Sequence, residues 1–224
     1  MLTEVLRTSK FPDAYFEGLK LEADEKYEEA TAVFKNLLKE GFDKKDIHHH
    51  YVVGLVQIKA YDAALDHLHN LVKKNQISLQ DYPLLGEVYF LKGDYAEAVS
   101  VYNKYLYKYF EDVKVLLKRG IAFIQISEYQ RAVHDFSAVI ARQPDAPRAL
   151  CQRALAHVRL GKLEDAREDL EKSKAIDANN PTLYLHYGYY YKEKNDRRQA
   201  LENFTKAKAL GVDFHGIDYL IATT

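Results

Sequence analysis

The sequence predicts an all-α solenoid of six stacked helix–turn–helix repeats, and three observations predict it. Alanine stands at Ala30, Ala64, Ala98, Ala132, Ala166 and Ala200, one every 34 residues. Twelve residues before each of these stand Gly18, Val52, Gly86, Gly120, Ala154 and Gly188, and four residues after each stand Phe34, Leu68, Tyr102, Phe136, Leu170 and Phe204. No insertion breaks this frame from Phe11 to Phe214. A strict period of this length marks one supersecondary unit repeated in series, each copy burying its apolar face on the next.

The repeats run 11–44, 45–78, 79–112, 113–146, 147–180 and 181–214, beginning at Phe11, Lys45, Leu79, Val113, Pro147 and Pro181. Within each, places one to fourteen and eighteen to thirty-one carry apolar residues three and four apart, the spacing of amphipathic helices. An aromatic at place seventeen, Tyr27, Tyr61, Tyr95 and Tyr129, drifts to Leu163 and Arg197 in the last two repeats. Repeat two departs from the pattern with Val52 at the glycine place and Gly54 inside the same helix. Short breakers separate the helices at Lys92-Gly93-Asp94, Leu160-Gly161-Lys162 and Lys194-Asn195-Asp196, where Gly or Asn accepts the left-handed conformation that closes a helix. Pro83 falls in the first turn of its helix, where an amide has no partner to lose. Pro144, Pro147 and Pro181 punctuate the joints between repeats. Residues 1–10 form an N-terminal extension. Residues 215–224 begin like another first helix, with Ile217, Leu220 and Ile221 on one face, and are predicted to cap the second helix of repeat six.

These columns resemble the tetratricopeptide repeat family, which takes small residues at places eight and twenty and large apolar residues at eleven and twenty-four. Place eleven reads Leu21, Leu55, Tyr89, Phe123, His157 and Tyr191. The resemblance covers residues 11–214 and implies a right-handed superhelical solenoid. It also implies that the first helices line a concave groove, chiefly through places two, five, six, nine, twelve and thirteen. In repeats four to six those places give the expected partner-binding residues: Lys114, Lys118, Ile121, Arg148, Gln152, Leu155, Arg159, Tyr189 and Lys192, with Cys151 and His186 also on groove places. In repeats one to three they give a more apolar, mildly acidic face that includes Tyr15, Phe16, Glu22, His49, His50 and Val53.

Charge is unevenly laid out behind a net value of −1. Residues 11–112 hold 12 Lys/Arg against 18 Asp/Glu, whereas 113–180 hold 12 against 9, and no arginine stands between Arg7 and Arg119. Two readings follow: solvated helix faces with drifting composition, or a bipolar surface whose third and fourth quarters favour an acidic partner. Basic heads flanking aliphatic residues suit an extended or helical peptide carrying both acidic and apolar side chains. Some members of the family clamp the terminal carboxylates of heat-shock chaperones. Lys114 and Lys118 resemble part of that clamp, but His49, Val53 and Leu84 stand where its other residues belong, which disfavours it.

Other chemistry finds little footing. Catalytic, cofactor and metal sites are expected to be absent: there is no phosphate-binding glycine loop and no recognisable nucleophile signature. His48, His49 and His50 are consecutive, so their side chains diverge by about 100° per residue and do not converge on one metal. Cys151 is expected in the groove, where Lys118 and Arg148 would lower its pKa, though no general base follows it at a recognisable spacing. Tyr105 stands where the family carries a small residue and is expected to splay repeats three and four. Of the 18 tyrosines, most fall on packing places, and Tyr189 is the best placed to meet a partner. A pI near 6.8 argues against nucleic acid. No apolar stretch approaches a membrane span, the first residues lack a signal-peptide pattern, and a single cysteine suits a reducing, cytoplasmic setting. The expected function is a protein-binding scaffold or adaptor. A dedicated chaperone for one client, or a regulatory module of a larger protein, stand as alternatives.

Overall fold

Helix starts and stops follow the 34-residue register. In the computed structural model the described residues are 11–212 and 216–224; the expected extension 1–10 and part of the last joint lie outside them. The first helices of successive repeats are α1 (Asp13–Ala23), α3 (Lys45–Gln57), α5 (Tyr82–Lys92), α7 (Val113–Gln125), α9 (Pro147–Arg159) and α11 (Pro181–Glu193). The second helices are α2 (Tyr27–Lys39), α4 (Tyr61–Lys73), α6 (Tyr95–Leu106), α8 (Tyr129–Arg142), α10 (Leu163–Ile176) and α12 (Arg197–Ala209), and α13 (Ile217–Thr223) follows. No strand occurs among the described residues.

Each first helix closes at the same place. Glu25, Lys59, Gly93, Ser127, Gly161 and Asn195, spaced by 34, all have positive φ between 58° and 96°. The chain then doubles back through a paired closure: at repeat four, Ser127 N–H donates to the Ile124 carbonyl and Glu128 N–H to that of Phe123. Pro147 and Pro181 open α9 and α11, and Pro83 sits in the first turn of α5, positions where a missing N–H costs nothing. Ahead of α5, a 3-10 turn over Leu79–Asp81 is held by a reciprocal box between Ser78 and Asp81.

The chain divides into two compact units, residues 1–94 and 95–224, with the boundary between the two helices of the third repeat. In the first unit, α2 packs between α1 and α3, α3 packs on α4, and α4 on α5. Gly54, out of pattern in the sequence, is a close-approach residue there: a β-carbon would stand 2.2 Å from Thr31 Oγ1 on α2. In the second unit, α7, α9 and α11 each pack on the second helix of their own repeat and on that of the preceding one, and α9 also meets α7 and α11.

The core of the second unit is made of the small and large columns together. Ala132, Ala166, Ala200, Phe136, Leu170 and Phe204 are all completely buried. α13 packs on α12, with Ile217 buried in the cluster that holds Leu183 and Ala207, and Lys208 pairs with Asp218 across the junction. Tyr105 is engaged at the joint between repeats three and four. Its hydroxyl donates to Asp112 at 2.8 Å and its ring lies 4.8 Å from that of Tyr109, so it braces the turn before α7. Asp112 in turn caps α7 by accepting from the backbone N–H groups of Lys114 and Val115.

Candidate functional site

The first-helix face of the second unit is built by helical periodicity. Lys114, Lys118 and Ile121 lie four and three residues apart on α7, as do Arg148, Gln152 and Leu155 on α9, so each trio shares one side of its helix. Tyr189 continues the Ile121–Leu155 column on α11. Lys114, Arg148, Arg159 and Lys192 are exposed, while Lys118, Ile121, Gln152, Leu155 and Tyr189 are half-buried. The Arg159 guanidinium lies 5.3 Å from the centre of the Tyr189 ring, which itself packs edge-on against Phe204 at 5.4 Å. Burial raises the Tyr189 phenol pKa, with Arg159 pulling the other way, so the ring is a neutral amphipathic surface.

Two arginines of this unit are tied into the fold by buried carboxylates. Arg119 donates from Nε and Nη2 to the two carboxylate oxygens of Asp135, both at 2.7 Å, and from Nη1 to Asn103 at 2.9 Å. One repeat later Arg153 makes the same fork to Asp169, at 2.8 and 2.7 Å, and reaches Ser137 at 2.9 Å. Each guanidinium thus ties a first helix to two second helices, its own and the preceding one. Asp135 and Asp169 are almost completely buried. Arg119 and Arg153 are therefore structural, although by composition they count toward the basic surface of residues 113–180. The signal that separates them was present: a polar residue sixteen positions on either side, in phase with the repeat. Arg142 and Arg167 also face carboxylates, Glu111 and Glu164. By contrast, Lys114, Arg148, Arg159 and Lys192 face no carboxylate among the described residues.

Two residues assigned to the groove are not there. Cys151 is fully buried, its thiol 3.0 Å from the Ser173 hydroxyl, and burial pushes its pKa up to about 11 instead of down. His186 is also buried; desolvation pushes its pKa down to about 4, and its Nδ1 has no hydrogen-bond partner. A thiol that stays protonated in an apolar packing layer has no nucleophilic character.

In the first unit the groove places hold a different chemistry. His50 Nδ1 lies 2.7 Å from Glu22 Oε2, its ring stacked 5.3 Å from Phe34 and edge-on to Tyr15. His48 turns elsewhere, to His67 at 2.9 Å and to Asp43 at 2.5 Å, so the consecutive histidines do diverge. Among the described residues no group of three His, Cys, Asp or Glu side chains is placed to hold a metal ion, and no helix is long and apolar enough to cross a membrane.

Comparison with known proteins agrees with this architecture. The family profile described as Tetratricopeptide repeat matches residues 55–109 and 117–181, more than half of the chain. BBSome complex member BBS4 of Bos taurus is 28% identical over 125 residues, 56% of this chain and 24% of that protein. The chain thus spans about a quarter of the length of that curated relative. A solved tetratricopeptide repeat protein from Parabacteroides merdae superposes with a TM-score of 0.67 at 15% identity, covering 94% of this chain and 98% of that one. YrrB, described as a TPR protein with an unusual peptide-binding site, superposes with a TM-score of 0.62 at 18% identity over 85% of this chain and 98% of its own.

Proposed function

The chain belongs to the tetratricopeptide repeat family, and we propose that it serves as a protein–protein interaction scaffold whose second unit holds an acidic, partly apolar peptide or helix of a partner on the face of α7, α9 and α11. The observation that carries this reading is the set of cations left without carboxylates. Lys114, Arg148, Arg159 and Lys192, beside the half-buried Ile121, Leu155 and Tyr189, have no carboxylate partner among the described residues. Arg119 and Arg153 are paired within the fold by buried carboxylates, and Arg142 and Arg167 pair with exposed ones, whereas Arg131, Arg197 and Arg198 are not paired with a carboxylate among the described residues. Carboxylates of a ligand complete the charge pairing at the exposed heads, and its apolar side chains cover the column between them at about 25 cal/mol per Å². The peptide-binding description of YrrB supports the reading by example from the same architecture.

The test is a double charge reversal, Lys114→Glu with Arg148→Glu, assayed by fluorescence anisotropy against labelled helical peptides that carry glutamate and leucine on one face. Wild type should bind these more tightly than their glutamine counterparts, with affinity falling as salt rises. The reversal should weaken binding by about tenfold or more while far-UV circular dichroism is unchanged. Equal binding of glutamate and glutamine peptides would remove the electrostatic basis of the reading.

A further inference from the structure

The polar rung described for repeats four and five changes character in repeat six. At the position of Arg119 and Arg153 stands Tyr187; at that of Asp135 and Asp169 stands Asn203; at that of Asn103 and Ser137 stands Glu171. The rung thus keeps a carboxylate, moved to the preceding second helix, and loses its cation. The Tyr187 hydroxyl donates to Glu171 Oε1 at 2.6 Å. Burial and the neighbouring Glu171 hold that phenol far above its usual pKa, so it is a neutral donor. The other Glu171 oxygen has no protein donor among the described residues. Asn203 donates an amide N–H to the Gln199 carbonyl, and its side-chain oxygen has no protein donor among the described residues.

This rung lines a cleft of about 200 Å³ between α10, α11 and α12. Tyr184, Tyr187 and Tyr191 follow one another along its wall, with ring centres 6.4 and 6.2 Å apart. Two of these rings already attract the chain's own ammonium groups: Lys206 Nζ lies 3.9 Å from the centre of Tyr184, and Lys174 Nζ 5.8 Å from that of Tyr187. Both lysines are exposed and neither forms an ion pair with Glu171 or with Glu202 at the rim. The walls therefore favour cations, and the exposed Glu171 carboxylate beside them forms no direct ion pair with either lysine.

We propose that this cleft is a docking site for an arginine side chain of a partner protein, which supplies from outside the guanidinium that Arg119 and Arg153 supply within their own repeats. An arginine fits better than a lysine because its planar fork donates to Glu171 and Asn203 together while its face lies on a tyrosine ring. The chain's own ammonium groups reach the rings without bridging to the carboxylate. Lys174 and Lys206 swing outward when the guanidinium enters. Tyr187 and Tyr189 are two residues apart on α11 and so point to different sides of it, which makes this surface distinct from the first-helix face.

The experiment is an NMR titration of the 224-residue protein with a short arginine peptide, its lysine counterpart, and its citrulline counterpart, which keeps the shape and removes the charge. Saturable shifts at Tyr184, Tyr187 and Tyr191 are expected with arginine, weaker ones with lysine and none with citrulline. Glu171→Gln should weaken arginine binding at least about fivefold. Lys206→Gln should strengthen it, since a competing cation is removed. Tyr187→Arg with Asn203→Asp rebuilds the internal rung and should abolish binding with the fold retained. Lys114→Glu with Arg148→Glu should leave arginine binding unchanged, so this site and the first-helix face fail separately. Equal binding of arginine and citrulline, or no effect of Glu171→Gln, overturns the proposal. Weaker binding in Lys206→Gln overturns it too, because that marks an anion site.

Discussion

Gly188 lies against the ring of Phe204 so closely that a β-carbon on it would stand 2.3 Å from two ring atoms. Gly18 and Gly120 stand in the same relation to Phe34 and Phe136, at 2.7 and 2.6 Å. Where the large column is leucine, at Leu68 and Leu170, the small column relaxes to Val52 and Ala154. The two columns thus trade volume at the crossing of each helix pair, because a close-packed interior has no slack for an extra methyl.

Gly188→Ala is expected to destabilise the second unit by about 1–3 kcal/mol, the usual penalty for overpacking. Adding Phe204→Leu to it should recover part of the loss by recreating the Ala–Leu pairing of repeat five. Urea melts followed by circular dichroism compare the two; a double variant less stable than Gly188→Ala alone would contradict the volume argument.

At the helix closures, Ser127 is held at φ 63° and Lys59 at φ 60°, in a region that disfavours a β-carbon. Ser127→Gly and Lys59→Gly should each raise stability by about 0.5–1 kcal/mol, after the extra chain entropy of glycine is subtracted. Gly161→Ala, at φ 70°, should lower it by about 1 kcal/mol. A shift of the urea midpoint in the opposite direction for any of the three would count against a strained closure.

Arg153→Leu leaves Asp169 buried without its fork and should cost about 3–5 kcal/mol. Arg153→Leu combined with Asp169→Leu should be less damaging than the single change, since both charges leave the interior together. If the double change is the worse of the two in a denaturant melt, the rung contributes more than the neutralisation of one buried carboxylate.

His186 and His67 give the stability a pH dependence. Burial lowers both to about 4, in His67 with help from the neighbouring His48, against about 6.5 for an unfolded histidine. Between these values the unfolded chain binds more protons than the folded one, so stability rises with pH. Their contribution is complete above about pH 6.5 and declines as pH falls toward 4. His186→Gln should flatten the fall in unfolding free energy between pH 7.5 and 5 relative to wild type. An unchanged slope would show that His186 is not buried neutral in solution.

Much of this was legible in the residues. The period located every helix pair, because alanine, glycine and aromatic columns report where backbones cross. The closures were legible at Gly93, Gly161 and Asn195 but not at Glu25, Lys59 and Ser127, since tertiary packing imposes the left-handed conformation on residues that do not prefer it. The places of Lys114, Arg148 and Leu155 came with the resemblance to the repeat family, whose first helices share this face. Cys151 and His186 were misplaced because that face narrows into the packing layer between α9 and α11. The charge balance of residues 113–180 also counts Arg119 and Arg153, because totals ignore partners sixteen positions away.

Ile217 falls 34 residues after the buried Leu183, which itself follows Ala149 and Val115 at the same step, so α13 keeps phase with the array. Growth by duplication therefore has a seam prepared here. A further unit spliced in at this point would find its first turn already seated, and every later contact would be inherited from the copied residues. The same phase lets repeats be exchanged between positions as blocks, with the surface residues of each block free to diverge while its crossing columns hold the stack together.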